Sequence, residues 1–203
     1  MTLRLLGSPA SPFVRKALVL LHEAKVTDVA FEKVTTSPLG GDDTINTANP
    51  LGKIPALVRD GGPPLYDSRV ITRFLDHRAQ AGFYPEARLW DTLTLEATAD
   101  GIMEAAVSII YETRHRPEDM WFAPWLDGQW TKVTRSLDAI EARWISHLYG
   151  PLDMGQIAVG CALGYLDFRH GDKGWRDGRN ALAAWYGKFA ARPAMQDTDP
   201  ATS

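Results

Sequence analysis

The rhythm of apolar and polar residues changes once along this chain, near residue 80. Before it, Leu3 to Leu6 is a brief apolar run closed by Gly7, and Val29, Phe31 and Val34 alternate with Glu32 and Lys33. Ala56 to Arg59 follows Pro55 as a third short run, and Leu65-Tyr66 begins a fourth after the turn Asp60-Gly61-Gly62-Pro63-Pro64. Period-two and short apolar runs bounded by Gly and Pro predict strands. Phe13, Val14, Ala17, Leu18 and Leu21 recur at helical spacing, as do Val70, Ile71, Phe74 and Leu75. Residues 1–78 therefore read βαβ and then ββα, a small mixed-sheet α/β domain. Past Ala79-Gln80-Ala81-Gly82-Phe83-Tyr84-Pro85 the strand signals stop. Helical periodicity alone continues from Arg88 to Arg192, which predicts helices over 88–114, 118–149, 154–169 and 179–191 and a loose tail after Met195. The expected organisation is an α/β domain over 1–78 and an all-helical domain over 86–203.

Three places in the first domain combine local structure with chemistry. In Ser8-Pro9-Ala10-Ser11-Pro12, Pro12 suits a first helical position, because its missing N–H costs nothing there, and Ser11 becomes the N-cap. A capping serine accepts from the helix backbone and keeps its O–H for another partner, so capping leaves room for a second task. The run Asn49-Pro50-Leu51-Gly52-Lys53-Ile54-Pro55 leads straight into a strand. A proline at a strand mouth cannot join the ladder, which leaves the backbone of Ile54 open to an extended peptide-like ligand, especially if the bond to Pro55 is cis. A plain loop reads equally well from spacing alone. Asp67-Ser68 opens the next helix, either as a cap and no more or as a seat for a carboxylate.

Composition narrows the partners. The formal net charge is -3, from 22 Lys+Arg against 25 Asp+Glu, and no basic stripe offers a footprint for nucleic acid or an anionic membrane. No apolar run is long enough to span a bilayer, and the first residues are too short an apolar run for a signal peptide, so a cytoplasmic protein is expected. The single Cys161 excludes an internal disulfide framework, and the five His show no close ligand spacing, so no metal site is expected. Cys161 sits in the apolar run Ile157 to Leu163 and reads as core. Trp121, Trp125, Trp130 and Trp144 read as core anchors as well. Asp153-Met154-Gly155-Gln156 has the spacing of a capping box, an acid at the N-cap and Gln three residues on, able to exchange hydrogen bonds both ways.

Ser11-Pro12-Phe13, the Asn49 to Pro55 run, Asp67-Ser68 and the helical second half together resemble the soluble glutathione S-transferase family, and most closely its serine-type bacterial members. The likeness runs over nearly the whole chain. It implies a thioredoxin-like first domain that binds glutathione as co-substrate, a cis-proline at Pro55, a second-substrate pocket walled by the helical domain, and a homodimer. Carried over by position, Ile54 beside Pro55 would pair with the cysteinyl part of glutathione, Asp67 and Ser68 would hold its γ-glutamyl end, and Lys53 would reach its glycine carboxylate. Ser11 would activate the thiol, with Ser8 as runner-up. Phe13, Met103, Val107, Tyr111 and Arg114 are the residues expected at the pocket for a small apolar electrophile, although packing explains any one of the four helical ones. No Cys stands in the Ser8–Ser11 loop, which argues against thiol-exchange chemistry. An isomerase or peroxidase using glutathione, or a binding protein without turnover, would keep the same fold.

Overall fold

Strand β1 (Leu3–Gly7) is the middle of the main sheet, with β2 (Val29–Lys33) on one side and the short strand Ala56–Val58 on the other. The computed structural model describes residues 3–202. β1 and β2 run parallel, Leu3 opposite Val29 to Gly7 opposite Lys33. Parallel neighbours need a crossover, and helix α1 (Pro12–Glu23) supplies it. Its face of Val14, Ala17, Leu20 and Leu21 is buried, as are Leu3, Leu5 and Leu6 of β1, while Arg4 points out to Glu32.

Between the strands lies structure that the periodicity did not announce. A hairpin of β3 (Thr36–Ser37) and β4 (Gly40–Gly41) is followed by α2 (Asp43–Ala48). Six residues are too few for a period to show. The helix is held by its cap, since the Asp42 carboxylate accepts from the Ile45 N–H at 3.0 Å and from the Thr35 N–H at 2.9 Å. Ile45 and Ala48 then close the small core against Leu6 and Ala56.

Strand β5 (Ala56–Val58) pairs antiparallel with β1, Arg4 opposite Val58 and Leu6 opposite Ala56. The fourth strand expected at Leu65-Tyr66 is reduced to one bridge, Leu57 to Leu65, with both backbone hydrogen bonds at 2.9 Å. Helix α3 (Ser68–Ala79) follows.

The second unit, Pro85–Arg192, is helical throughout its regular structure: α4 (Leu89–His115), α5 (Ala123–Arg143), α6 (Ile145–Leu148), α7 (Met154–His170) and α8 (Asn180–Ala190). The single helix expected over 118–149 is broken. Residues Glu118–Met120 form a separate 3-10 turn, Pro124 stands in the first turn of α5, and the backbone leaves helical geometry at Trp144 (φ -115, ψ 0). Helix α7 is the axis of this unit, buried continuously from Met154 to Leu166 with Cys161 inside it. Small residues let neighbours approach closely: Gly155 lies under Leu95 of α4 and Gly160 under the Phe189 ring of α8.

Two expectations in this unit need correction. Trp125 is exposed and Trp121, Trp130 and Trp144 are only half-buried; the deep tryptophans are Trp175 and Trp185, whose indole N–H groups donate to Asp167 and to the Leu148 carbonyl at 2.7 Å each. The capping box is made on one side only. Asp153 accepts from the Gln156 N–H at 3.2 Å, but the Gln156 amide turns to the carbonyls of His147 and Pro151, because the chain folds back over it from α6.

The tail is not loose. Helix α9 (Pro193–Asp197) belongs to the first unit, which runs to Tyr84 and takes up the chain again at Pro193. Arg15, buried on α1, donates to the Met195 carbonyl at 2.8 Å and to the Thr198 hydroxyl at 3.3 Å, and His22 meets Asp197 at 2.8 Å. The boundary expected near 78–86 thus holds the helical unit on one side only, and residues from 193 on return to the sheet unit.

Candidate active site

Strand register decides where the three chemical stretches of the first unit go. Leu6 faces Ala56 in an antiparallel pair, so the C-terminal end of β1, which leads into Ser8, lies at the same end of the sheet as the start of β5, which Ile54-Pro55 enters. Leu57 faces Leu65 in an antiparallel bridge, so the chain leaves Leu65 for Asp67 toward that same end. The Ser8–Ser11 loop, the Ile54-Pro55 step and the start of α3 therefore leave the sheet at one end.

Each stretch is fixed locally. Gly7 lets the strand end against α1, since a Cβ there would come within 2.6 Å of Val14 Cγ2. The chain then turns through Ser8, whose carbonyl accepts from the Ser11 N–H at 3.0 Å. Ser11 has extended backbone and caps α1, with Pro12 in the first turn. Its Oγ accepts from the Val14 N–H at 3.4 Å, a long contact that leaves the hydroxyl hydrogen to be donated elsewhere. Ser8 and Ser11 are both half-exposed.

The loop into β5 is organised by Asn49, a buried residue. Its amide donates to the Lys53 carbonyl at 2.7 Å and accepts from the Leu51 N–H at 3.0 Å, while the Thr36 hydroxyl donates to the Gly52 carbonyl at 2.7 Å. Gly52 sits at φ +62, a left-handed conformation that glycine adopts without steric cost. The Ile54-Pro55 bond is cis, as anticipated, and so is Tyr66-Asp67, which was not. Neither the N–H nor the C=O of Ile54 has a hydrogen-bond partner among the described residues. Pro55 is buried, Ile54 half-buried and Lys53 exposed.

Asp67 caps α3 from an extended backbone, accepting from the Arg69 N–H at 3.0 Å and pairing with the Arg69 guanidinium at 2.9 Å. Burial pushes its carboxyl up, but the Arg69 guanidinium and the backbone N–H groups of the helix start outweigh it and hold the pKa below the usual carboxylate value. Ser68 is buried, and its hydroxyl meets no partner among the described residues. The end of the sheet thus presents a free backbone edge, two helix N-termini and uncommitted hydroxyls. These are the groups an anionic peptide with a thiol would need.

The chain was compared with known proteins. Models of the glutathione S-transferase N-terminal domain and C-terminal domain match residues 10–78 and 123–188. The uncharacterized GST-like protein YibF of Escherichia coli (strain K12) is 33% identical, over 98% of this chain and 98% of its own. The chain belongs to the glutathione S-transferase family. A glutathione transferase family member from Pseudomonas fluorescens Pf-5, solved with bound glutathione, is 46% identical with a TM-score of 0.95, over 98% of this chain and 99% of that one. A glutathione S-transferase from Methylobacillus flagellatus KT, also with glutathione bound, is 35% identical with a TM-score of 0.88, over 98% and 100%. The fold is accordingly that of the glutathione S-transferases, a thioredoxin-like mixed-sheet domain and a helical domain.

The residues expected at the second pocket are divided between the two units. Phe13 is half-buried on α1, in the first unit. On α4 of the helical unit, Met103 is fully buried and packs, Val107 is half-buried, and Tyr111 and Arg114 reach the surface. What the sequence reading missed is on α7. Tyr165 and Arg169 lie one turn apart and interact, and burial pushes the Tyr165 hydroxyl up to about 12; they were hidden because α7 reads as an unbroken core run. Asn49 was missed as an organiser; its position before Pro50 was the available signal. Among the described residues no group of three or more His, Cys, Asp or Glu could hold a metal, and no helix is long and apolar enough to cross a membrane.

Proposed function

We propose that this member of the glutathione S-transferase family binds glutathione at the sheet end of its first unit, ionises the thiol, and transfers it to a small apolar electrophile. What supports this reading is that the loop carrying Ser11, the Ile54 backbone, which has no partner among the described residues, and the Asp67-Ser68 helix start all leave the sheet at one end. Ile54 would pair with the cysteinyl backbone by strand addition, Asp67 would meet the γ-glutamyl ammonium, the Ser68 hydroxyl and the N-terminus of α3 its carboxylate, and Lys53 the glycine carboxylate.

The chemistry follows from the thiol. A free cysteine thiol has a pKa of about 8.5, so only a few per cent is thiolate near neutral pH. Ser11 donates its hydrogen to the sulfur while its oxygen stays engaged with Val14, and the N-terminal N–H groups of α1 add a fixed positive field. The thiol proton goes to solvent, and the thiolate attacks the electrophilic carbon: the sulfur lone pair forms the C–S bond while the pair of the bond to the leaving group departs with that group. That the Pseudomonas fluorescens Pf-5 family member, 45% identical in this second structure, was also solved with bound S-(propanoic acid)-glutathione supports a site with room for a group on sulfur. A cytoplasmic homodimer is part of the proposal; a sedimentation profile showing only monomer mass at micromolar concentration would remove it. The test of function is product formation from a panel of electrophiles, peroxides and cis-alkene acids, with and without glutathione. Conjugates that need both protein and glutathione support transfer. Reduced peroxide or isomerised alkene without conjugates would replace it, and no turnover with tight glutathione binding would make the chain a binding protein.

A further inference from the structure

Two arginines are buried among the described residues, and they differ in what surrounds their charge. Arg179, 9% exposed, donates to the Asp138 carboxylate at 2.8 Å. Arg15 on α1 is 5% exposed and meets no carboxylate among the described residues. Its Nη2 donates to the Met195 carbonyl at 2.8 Å and its Nε to the Thr198 hydroxyl at 3.3 Å, both on the returning tail. Such oxygens satisfy N–H groups without cancelling a charge. The acids on the elements packed against α1 are committed: Asp67 to Arg69 at 2.9 Å, Asp76 to the Phe83 N–H at 2.7 Å, Asp197 to His22 at 2.8 Å and Asp199 to the Ala201 N–H at 2.9 Å. Lys16 and Glu23 of α1 have partners other than Arg15. On α3, Arg73 lies over the Tyr84 ring, Arg78 pairs with Asp28, and His77 is exposed.

The charge stands close to the loop that carries Ser11. The Arg15 N–H donates to the Ser11 carbonyl at 3.0 Å, closing the first turn of α1. One helical turn sets the two Cα atoms about 6 Å apart, and an arginine side chain reaches at most about 7 Å from its own Cα, so the guanidinium lies within about 13 Å of Ser11. A unit charge at that range, in an effective dielectric of about 20, changes an ionisation constant by roughly tenfold. Packing alone does not call for it, because a neutral amide could donate to the same two oxygens without burying a charge.

We infer that Arg15 is a positioning residue for thiol ionisation: the returning tail holds its uncompensated guanidinium within reach of the Ser11 end of α1, where the charge favours the ionised sulfur of bound glutathione. The inference rests on the glutathione reading above, in which the sulfur meets the Ser11 hydroxyl. Because the guanidinium donates to the tail, it acts on the sulfur through its field and not through a hydrogen bond. The thiol proton goes to solvent, and the sulfur that keeps the electron pair becomes the anion that the buried charge otherwise lacks. The tail thereby contributes to thiol ionisation without donating a group to it.

The test is the ultraviolet titration of glutathione thiolate bound to the full chain, in wild type, Arg15→Gln, Arg15→Lys, Thr198→Asp and Thr198→Asn. Arg15→Gln keeps N–H donors and removes the charge. Its midpoint should rise by about half a unit to one unit, or roughly three- to tenfold less thiolate at a pH below both midpoints. Arg15→Lys should recover most of that loss, because it keeps the charge without the planar fork. If Arg15→Gln fails to fold, Thr198→Asp carries the test: it sets a carboxylate beside the intact guanidinium and should raise the midpoint likewise, whereas Thr198→Asn should not. In Arg15→Gln, kcat below the midpoint should fall by the same factor and recover at alkaline pH, which a loss of packing would not do. A midpoint unmoved in Arg15→Gln or in Thr198→Asp, or raised as far in Arg15→Lys as in Arg15→Gln, overturns the inference while wild-type glutathione still titrates low. A wild-type bound thiol that titrates at the free value removes the thiol-ionising reading and the inference with it.

Discussion

Replacing Ser11 separates two roles that one side chain performs. As a cap, its Oγ accepts from the Val14 N–H at 3.4 Å, which is long for such a bond, so the stability lost in Ser11→Ala should fall near the low end of the usual range, about 0.5 kcal/mol. As a thiolate partner it supplies a hydrogen bond to a charged group, worth about 1.5 to 3 kcal/mol, or roughly 10- to 150-fold in rate if fully expressed in the transition state. The two effects therefore differ in size and in readout. Thermal unfolding should move little in Ser11→Ala and less in Ser11→Gly, because glycine caps almost as well as serine. Turnover at saturating glutathione and fixed electrophile should fall by the larger factor in both, with the KM for glutathione changed less, since the Ile54, Asp67 and Ser68 contacts are untouched. If Ser11→Gly kept turnover within about threefold of wild type at neutral pH, a difference under 1 kcal/mol, Ser11 would be a cap and no more. Ser8→Ala would then be the variant to examine, because Ser8 opens the same loop where β1 ends.

Asp67→Ala and Ser68→Ala should raise the KM for glutathione severalfold and lower kcat less, because they would hold a part of the tripeptide remote from sulfur; unchanged affinity in Ser68→Ala would return the pair to a helix start. Asp153→Ala should cost on the order of 3 kcal/mol in urea unfolding, since the buried carboxylate takes His147 at 2.7 Å, the Thr92 hydroxyl at 3.0 Å and the Gln156 N–H; a loss under about 1 kcal/mol would contradict that account of the turn. His170 is buried, which lowers its pKa, although the Ala106 carbonyl at 3.0 Å opposes the shift. Above the ordinary imidazole value of 6.5 both states are neutral and stability is full. As pH falls through 6.5 toward the lower folded value, the unfolded chain binds a proton that the native state resists, so stability declines. The decline should be shallower in His170→Gln, and an identical pH profile would rule His170 out as its source.

Legibility followed the length of the signal. Ser11-Pro12 announced the start of α1 because a cap and an N-terminal proline act locally, and the open backbone at Ile54 was readable from Pro55 for the same reason. The capping half of Asp153 was readable too, but the Gln156 amide goes to carbonyls supplied by a fold-back from α6 that no local spacing encodes. Helix α2 was invisible because six residues are fewer than two turns, and it exists through Asp42 and the burial of Ile45. The break at Trp144 was missed because apolar residues continue on both sides of it. Tryptophan type did not reveal depth, since Trp125 is exposed and Trp175 is buried with equal chemistry. Arg169 looked like the basic end of a core helix. The Arg114 charge that helps hold its pKa down comes from α4, and that is long-range information.

The central claim is that the first unit binds glutathione and makes it a thiolate. The ultraviolet absorbance of bound glutathione thiolate, titrated against pH in the wild-type protein, tests it most directly. The account predicts a midpoint at least about one unit below the free thiol's value, equal to about 1.4 kcal/mol of preference for the ionised form. A bound thiol that titrates at the value of the free one would contradict it.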